Sequence, residues 1–183
     1  LVPFLVYQFL YSFVSPLYVL DHEFLSVSIS KGLIDISNLS IAGDGMPVTT
    51  SARERKHRIC ECSKNGITSC HCDRYFSQPD CDIGYDSSRE CFYHGYHLYI
   101  LVAANSESDL PLFPLFNPAS KHDSHGFLEA YFRFKAFLPD FHVRKWLLDS
   151  AHDAMSYYLY CRKNDIQPFI DLNEKRGISM KYK

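Results

Sequence analysis

The sequence predicts a mixed α/β domain interrupted by a cysteine-rich insertion. Three observations predict it: apolar, β-branched runs that stop at glycine or aspartate, one long helical stretch with a single apolar face, and a helix joining two short apolar runs near the C-terminus. The last arrangement favours a right-handed parallel crossover. At 183 residues, 46% hydrophobic and 22% charged, the chain can bury a full core and has room for one domain plus an insertion. A formal net charge of -2 supplies no global field for a polyanion, so nucleic acid would have to be held by a local patch.

Residues 1–36 read as an apolar, partly helical segment, and 37–183 as the core. "LVPFLVYQFLYSFVSPLYVL" runs through Leu20 without a charge, which is the length of a membrane span. It lacks a basic leader, contains Pro3, Pro16, Gln8, Ser12 and Ser15, and is aromatic where a span would be aliphatic, so it reads as a buried segment and no membrane is expected. "LIDISNL" into "SIAGDG" gives a strand over 37–44 with Asp44 at its C-terminal edge. Residues 46–94 are polar and show neither helical nor strand period, which defines the insertion between the first two strands. "GYHLYILVAA", a turn at "NSESD" and the Pro-marked "LPLFPLF" form a hairpin whose second strand belongs at an edge. "SKHDSHGFLEAYFRFKAFLPD" places Phe127, Tyr131, Phe134 and Leu138 on one helical face, with capping oxygens over 122–124 and Pro139 closing the helix. Strand 143–148, a helix over 151–163 and strand 168–172 complete the order. The chain starts at leucine and stops at "ISMKYK" without a domain-ending signal, so it reads as a piece of a longer protein, incomplete at its C-terminus.

Asp44 and Asp149 each follow an apolar strand directly, and ligands gather at strand ends in open α/β sheets. Two hard oxygen donors there suit Mg²⁺ or Mn²⁺ with waters and phosphates completing the shell. Asp44 before Gly45 is equally a turn residue, and Asp149 equally a helix cap. His152 and Asp153 lie one turn on, as helix caps or as groups that position water or phosphate. Asp171 and Asn173 end the last strand.

Cys60, Cys62, Cys70 and Cys72 form two Cys-x-Cys pairs seven residues apart, with His71 inside the second and Cys81 beyond. Thiolates suit Zn²⁺ in closed tetrahedral sites, and a metal would order an insertion that cannot build its own core. One intervening residue is short of the usual Cys-x₂₋₄-Cys, and free thiols are the alternative. The total of seven cysteines is odd, in a chain too long to need disulfide staples, which fits a reducing, cytoplasmic setting. "RERKHR" gathers Arg53, Arg55, Lys56 and Arg58, with Lys64 and Arg74 nearby: a patch able to grip phosphates, or a solvated loop face.

The segments "GDGMPVTTSARERKHRICECSKNGITSCHCDRYFSQPDCDIGYDSS", "GYHLYIL", "FNPASKHDSHGF", "KWLLDSAHDA" and "PFIDLNEKRG" together resemble, in order, the DDE transposases of bacterial insertion sequences, over about residues 33–177. The resemblance implies a ribonuclease-H-like mixed sheet with flanking helices, in which three acidic residues hold two divalent ions and DNA is cut and rejoined at transposon ends. Asp44 matches the first acid and Asp149 the second. The third, a glutamate on a later helix, has no match, since Glu174 follows the last strand too closely. The implied partners are DNA ends and target, and self-association is compatible with it. The alternative is a non-catalytic, transposase-derived DNA-binding remnant with a zinc-stapled insertion.

Overall fold

The computed structural model describes residues 19–51, 57–58, 60–75, 77–78 and 80–173. A π-helical turn at Leu20–Leu25 leads into helix α1 (Ser26–Ser30). Strand β1 (Leu39–Thr49) follows, then the two-residue strands β2 (His57–Arg58) and β3 (Arg74–Tyr75), then β4 (Asp82–Asp86), β5 (Cys91–Ala103) and β6 (Leu110–Pro118). Helix α2 (Asp123–Phe137), strand β7 (Val143–Leu148), a 3-10 turn at Ser150–His152, helix α3 (Met155–Lys163) and strand β8 (Gln167–Ile170) complete the order.

Six of these strands make one mixed sheet in the order β4-β5-β1-β7-β8, with β6 also paired to β5. β1, β5 and β6 are antiparallel neighbours, whereas β7 runs parallel to β1 and β8 parallel to β7. The β7–α3–β8 unit is the parallel crossover expected from the apolar runs.

Both long helices cover one face of the sheet. Phe127, Ala130 and Phe134 of α2 are fully buried, and Tyr131 nearly so, in one cluster with Leu39, Ile41, Leu101 and Trp146 of the strands and Tyr157 and Cys161 of α3. Trp146 is its hub: Phe127 and Tyr131 meet it edge-on at 4.8 and 4.9 Å, and Tyr160 stacks on it at 5.3 Å. Because strand side chains alternate, the residues one step along point to the other face. There Met46, Phe116, Leu147 and Phe169 are exposed.

Several sequence expectations need correction. The first strand runs to Thr49 rather than ending at 44, and residues 46–94, expected as an insertion, contain the end of β1, all of β4 and the start of β5. The segment "DIGYD" has little strand propensity of its own; its ladder to β5, Asp82↔Gly95 through Asp86↔Cys91, holds it extended. Its turn is built by Asp86, whose carboxylate accepts from Ser88 N, Ser88 Oγ and Arg89 N. The helix expected over 151–163 is broken, because Asp153 leaves the helical region at ψ 84. Its carboxylate instead accepts from Tyr158 Oη at 2.9 Å and Asn173 N at 2.9 Å. Leu138 is the C-cap of α2, half-buried and still packed against the core, and the N-cap is the ring nitrogen of His122, not an oxygen. Among the described residues no helix is long and apolar enough to cross a membrane; residues 1–18 of the N-terminal apolar run lie outside them.

Candidate functional site

Register brings the two aspartates together. β1 and β7 are parallel with Ala42 opposite Leu147, so two residues further along Asp44, in the middle of β1, stands beside Asp149, just past the end of β7. Both line an open cavity of about 670 Å³, along with Asp123, His97 and the hairpin residues Tyr85, Asp86 and Phe92. Asp149 also borders a shallower cavity shared with Asp171.

The glycines on either side of Asp44 face the helix-covered side and admit what packs there. A Cβ on Gly43 would lie 2.8 Å from both Cε1 and Oη of Tyr99, and a Cβ on Gly45 would collide with His97 Nε2 and Asp123 Oδ1. The Gly-Asp-Gly pattern therefore leaves Asp44 at the rim while two polar assemblies pass beneath its neighbours. Gly45 N donates to Asp44 Oδ1 at 2.7 Å, which holds that carboxylate against its own strand.

The first assembly is an ion pair. His97 Nε2 lies 3.0 Å from Asp123 Oδ1, and its Nδ1 lies 3.0 Å from the Lys121 carbonyl. Two oxygen acceptors favour the doubly protonated ring, so the Asp123 contact, against the pull of burial, raises His97 above its ordinary 6.5. Burial pushes the Asp123 carboxyl up, but the hydrogen bond and charge of His97 outweigh it and the group sits below its ordinary 3.8.

The second assembly runs beneath Asp149. Its Oδ1 accepts from Ala151 N at 3.2 Å and from His152 Nδ1 at 2.5 Å, and His152 Nε2 lies 3.0 Å from Tyr99 Oη. His152 and Tyr99 are each 1% exposed, so the sequence expectation that His152 touches water or phosphate gives way to a buried role. Asp153 and Asn173 bond each other and do not enter the cavity lining, and Asp171 N is tied to Leu148 O at 3.1 Å.

A separate cluster forms in the loop between β2 and β3. The Sγ atoms of Cys60, Cys62, Cys70 and Cys72 all lie within 4.8 Å of one another, the one such set of three or more ligating side chains among the described residues. The close pairs are Cys60 with Cys70 and Cys62 with Cys72, both at 3.6 Å. A tetrahedron with metal–sulfur bonds of 2.3 Å has edges of about 3.8 Å, so the donor set can hold a metal such as zinc. The tight Cys-x-Cys spacing is no obstacle, because the ligand pairs form across the two arms of the loop. A turn at 61–66 closes it through Ile67 N to Cys62 O at 2.8 Å, with Gly66 at φ 75. The backbone N–H of Cys72 lowers the Cys70 thiol to about 7, which readies one ligand as thiolate near neutrality. Cys81 is buried and apart.

Of the basic residues, Arg53, Arg55 and Lys56 lie outside the described residues. Arg58 pairs in register with Arg74, and exposed Lys64 contacts Glu61 at 2.6 Å. Sequence reasoning missed His97 and Asp123, which line the cavity, and Tyr99, which lies buried against His152. The one signal for them was the pair of glycines beside Asp44. No protein-family model, no curated protein and no solved structure matches this chain.

Proposed function

We propose that this chain carries the catalytic core of a DDE-type DNA transposase, ribonuclease-H-like in fold, with Asp44 and Asp149 as its first two metal-holding acids. The observation that carries the reading is the juxtaposition of Asp44, in the middle of β1, and Asp149, just past the end of the parallel β7, both lining one open cavity. The antiparallel β6–β5–β1 run extended by parallel β7 and β8 supports the fold part of the reading.

The donors fit a hard divalent cation such as Mg²⁺ or Mn²⁺, since both are carboxylates with room beside them for water and phosphate oxygens. Such ions, when bound, activate water and neutralise the charge of a phosphodiester undergoing cleavage. The chain's own residues orient the site: Gly45 N and His152 each occupy one carboxylate oxygen, and the His97–Asp123 pair fixes the α2 end of the cavity. Asp123 is a third acid in the lining, but its Oδ1 faces His97, so it does not replace the missing glutamate.

A second reading is favoured by the cysteine cluster: a non-catalytic, zinc-stapled module that grips DNA phosphates. The backbone register that sets Arg58 opposite Arg74 supports it, since it places two basic residues side by side in the sequence-distant arms of the loop. Calorimetric titration with Mn²⁺ on the parent chain, Asp44→Ala and Asp149→Ala, with zinc assayed on the same samples, separates the two. The transposase reading expects Mn²⁺ binding that either substitution abolishes. A parent that binds zinc and DNA but no Mn²⁺ leaves only the second.

A further inference from the structure

We infer that Tyr99 and His152 form a positioning relay that holds Asp149 with one oxygen presented to the cavity. The inference rests on the role proposed for Asp149 and adds how that role is enforced.

Asp149 stands at a strand end with its side chain 60% exposed, where a carboxylate would ordinarily rotate freely. Here Oδ1 is committed to Ala151 N and His152 Nδ1, which leaves Oδ2 as the oxygen with open coordination. The clamp is only as rigid as the imidazole, and the imidazole is fixed from three sides. The rings of Phe127 and Tyr157 meet it edge-on at 5.6 and 5.7 Å, and Tyr99 Oη contacts the far nitrogen.

That contact, together with the acceptor-only carboxylate on Nδ1, selects the tautomer. Burial raises the Tyr99 phenol far above its ordinary value, so it stays protonated, and His152 Nε2 is its hydrogen-bond partner. A neutral imidazole has one donor and one acceptor nitrogen. When Nε2 accepts from Tyr99, the proton must sit on Nδ1, where it is donated to Asp149. Tyr99 lies opposite Gly45 in the β1–β5 ladder, and Gly43 leaves the space its hydroxyl fills. The relay thus ties the strand bearing Asp44 to the turn bearing Asp149. An outer hydrogen-bond partner of this kind typically changes metal affinity by about 10- to 100-fold.

The test compares the full chain with His152→Asn, His152→Gln and Tyr99→Phe, using Mn²⁺ calorimetry, thermal melting and proton–nitrogen NMR of the histidine rings. The Asn amide nitrogen falls near the position of Nδ1 and can still donate to Asp149, whereas the Gln amide reaches the position of Nε2. The relay predicts that Mn²⁺ binding weakens about tenfold or more in His152→Gln and stays near the parent value in His152→Asn. It also predicts an Nδ1–H tautomer in the parent that becomes mixed in Tyr99→Phe. Equal losses in the Asn and Gln variants, tracking their melting temperatures, would mean mere packing and overturn the relay. So would full binding in both. If the parent binds no Mn²⁺, the metal role of Asp44 and Asp149 fails, and the NMR arm decides the relay alone: a Tyr99-dependent Nδ1–H tautomer upholds it, and any other result removes it.

Discussion

The cysteine cluster and the carboxylate cavity gather their ligands in opposite ways. The four thiols come from one short loop, closed by a turn at 61–66 and flanked by strands of two residues each, and among the described residues none of the loop belongs to the apolar core. Asp44 and Asp149 come from strands at distant places in the chain, brought side by side by a sheet whose core is already packed. Closing a short loop costs little entropy, but a loop without a core has little else to hold it. The cavity is therefore organised before any ligand arrives, whereas the cluster would depend on a bound metal for its order.

The largest expected effect breaks the molecule along that line. Removing metal with a chelator, or introducing Cys60→Ser with Cys70→Ser, should take zinc from one ion per chain to almost none. Hydrogen-exchange protection over 60–75 should collapse while the strands of the main sheet keep theirs. Simultaneous loss in β1 and β5 would show that the two regions fold as one unit.

A smaller effect sharpens the comparison from the cavity side. Gly45→Ala drives a methyl into His97 and Asp123, and should cost about 1–3 kcal/mol in denaturant unfolding. The zinc content should not change. Unaltered stability would mean that His97 and Asp123 move aside cheaply and that the cavity is less preorganised than its packing implies.

The smallest effect is in pH. His97 is raised, so its contribution is complete below its unfolded value near 6.5 and is lost as pH rises through its folded value. Asp123 is lowered, so its contribution is present above its unfolded value near 3.8 and is lost as pH falls through its folded value. The pair is thus most stabilising between about pH 4 and 6.5. The stability difference between the parent and His97→Gln should peak in that window, at no more than about 1 kcal/mol. A difference that is flat with pH would mean the pair is not ionised.

Elements with a strong period of their own were legible. The apolar run 143–148 is β7 at both ends, the helix around Phe127, Tyr131 and Phe134 is α2, and the Pro-marked hairpin is β5–β6. β4 was not legible, because a segment with two aspartates and a glycine is extended only through its partner. Nor was the break after His152, which depends on Asp153 finding Tyr158 and Asn173 rather than the helix backbone.

The sequence by itself determined the main strands β1, β5, β6, β7 and β8 and the helix α2, and offered the four cysteines and the two aspartates as candidate ligands. These features are written in periodicity and spacing over a few residues. Only the tertiary structure decided that Asp44 and Asp149 share a cavity, that His97 pairs with Asp123 across Gly45, and that His152 is buried beneath Asp149 against Tyr99. Those contacts depend on ladder register and helix packing, which join residues far apart in the chain and leave the glycines beside Asp44 as their one local trace.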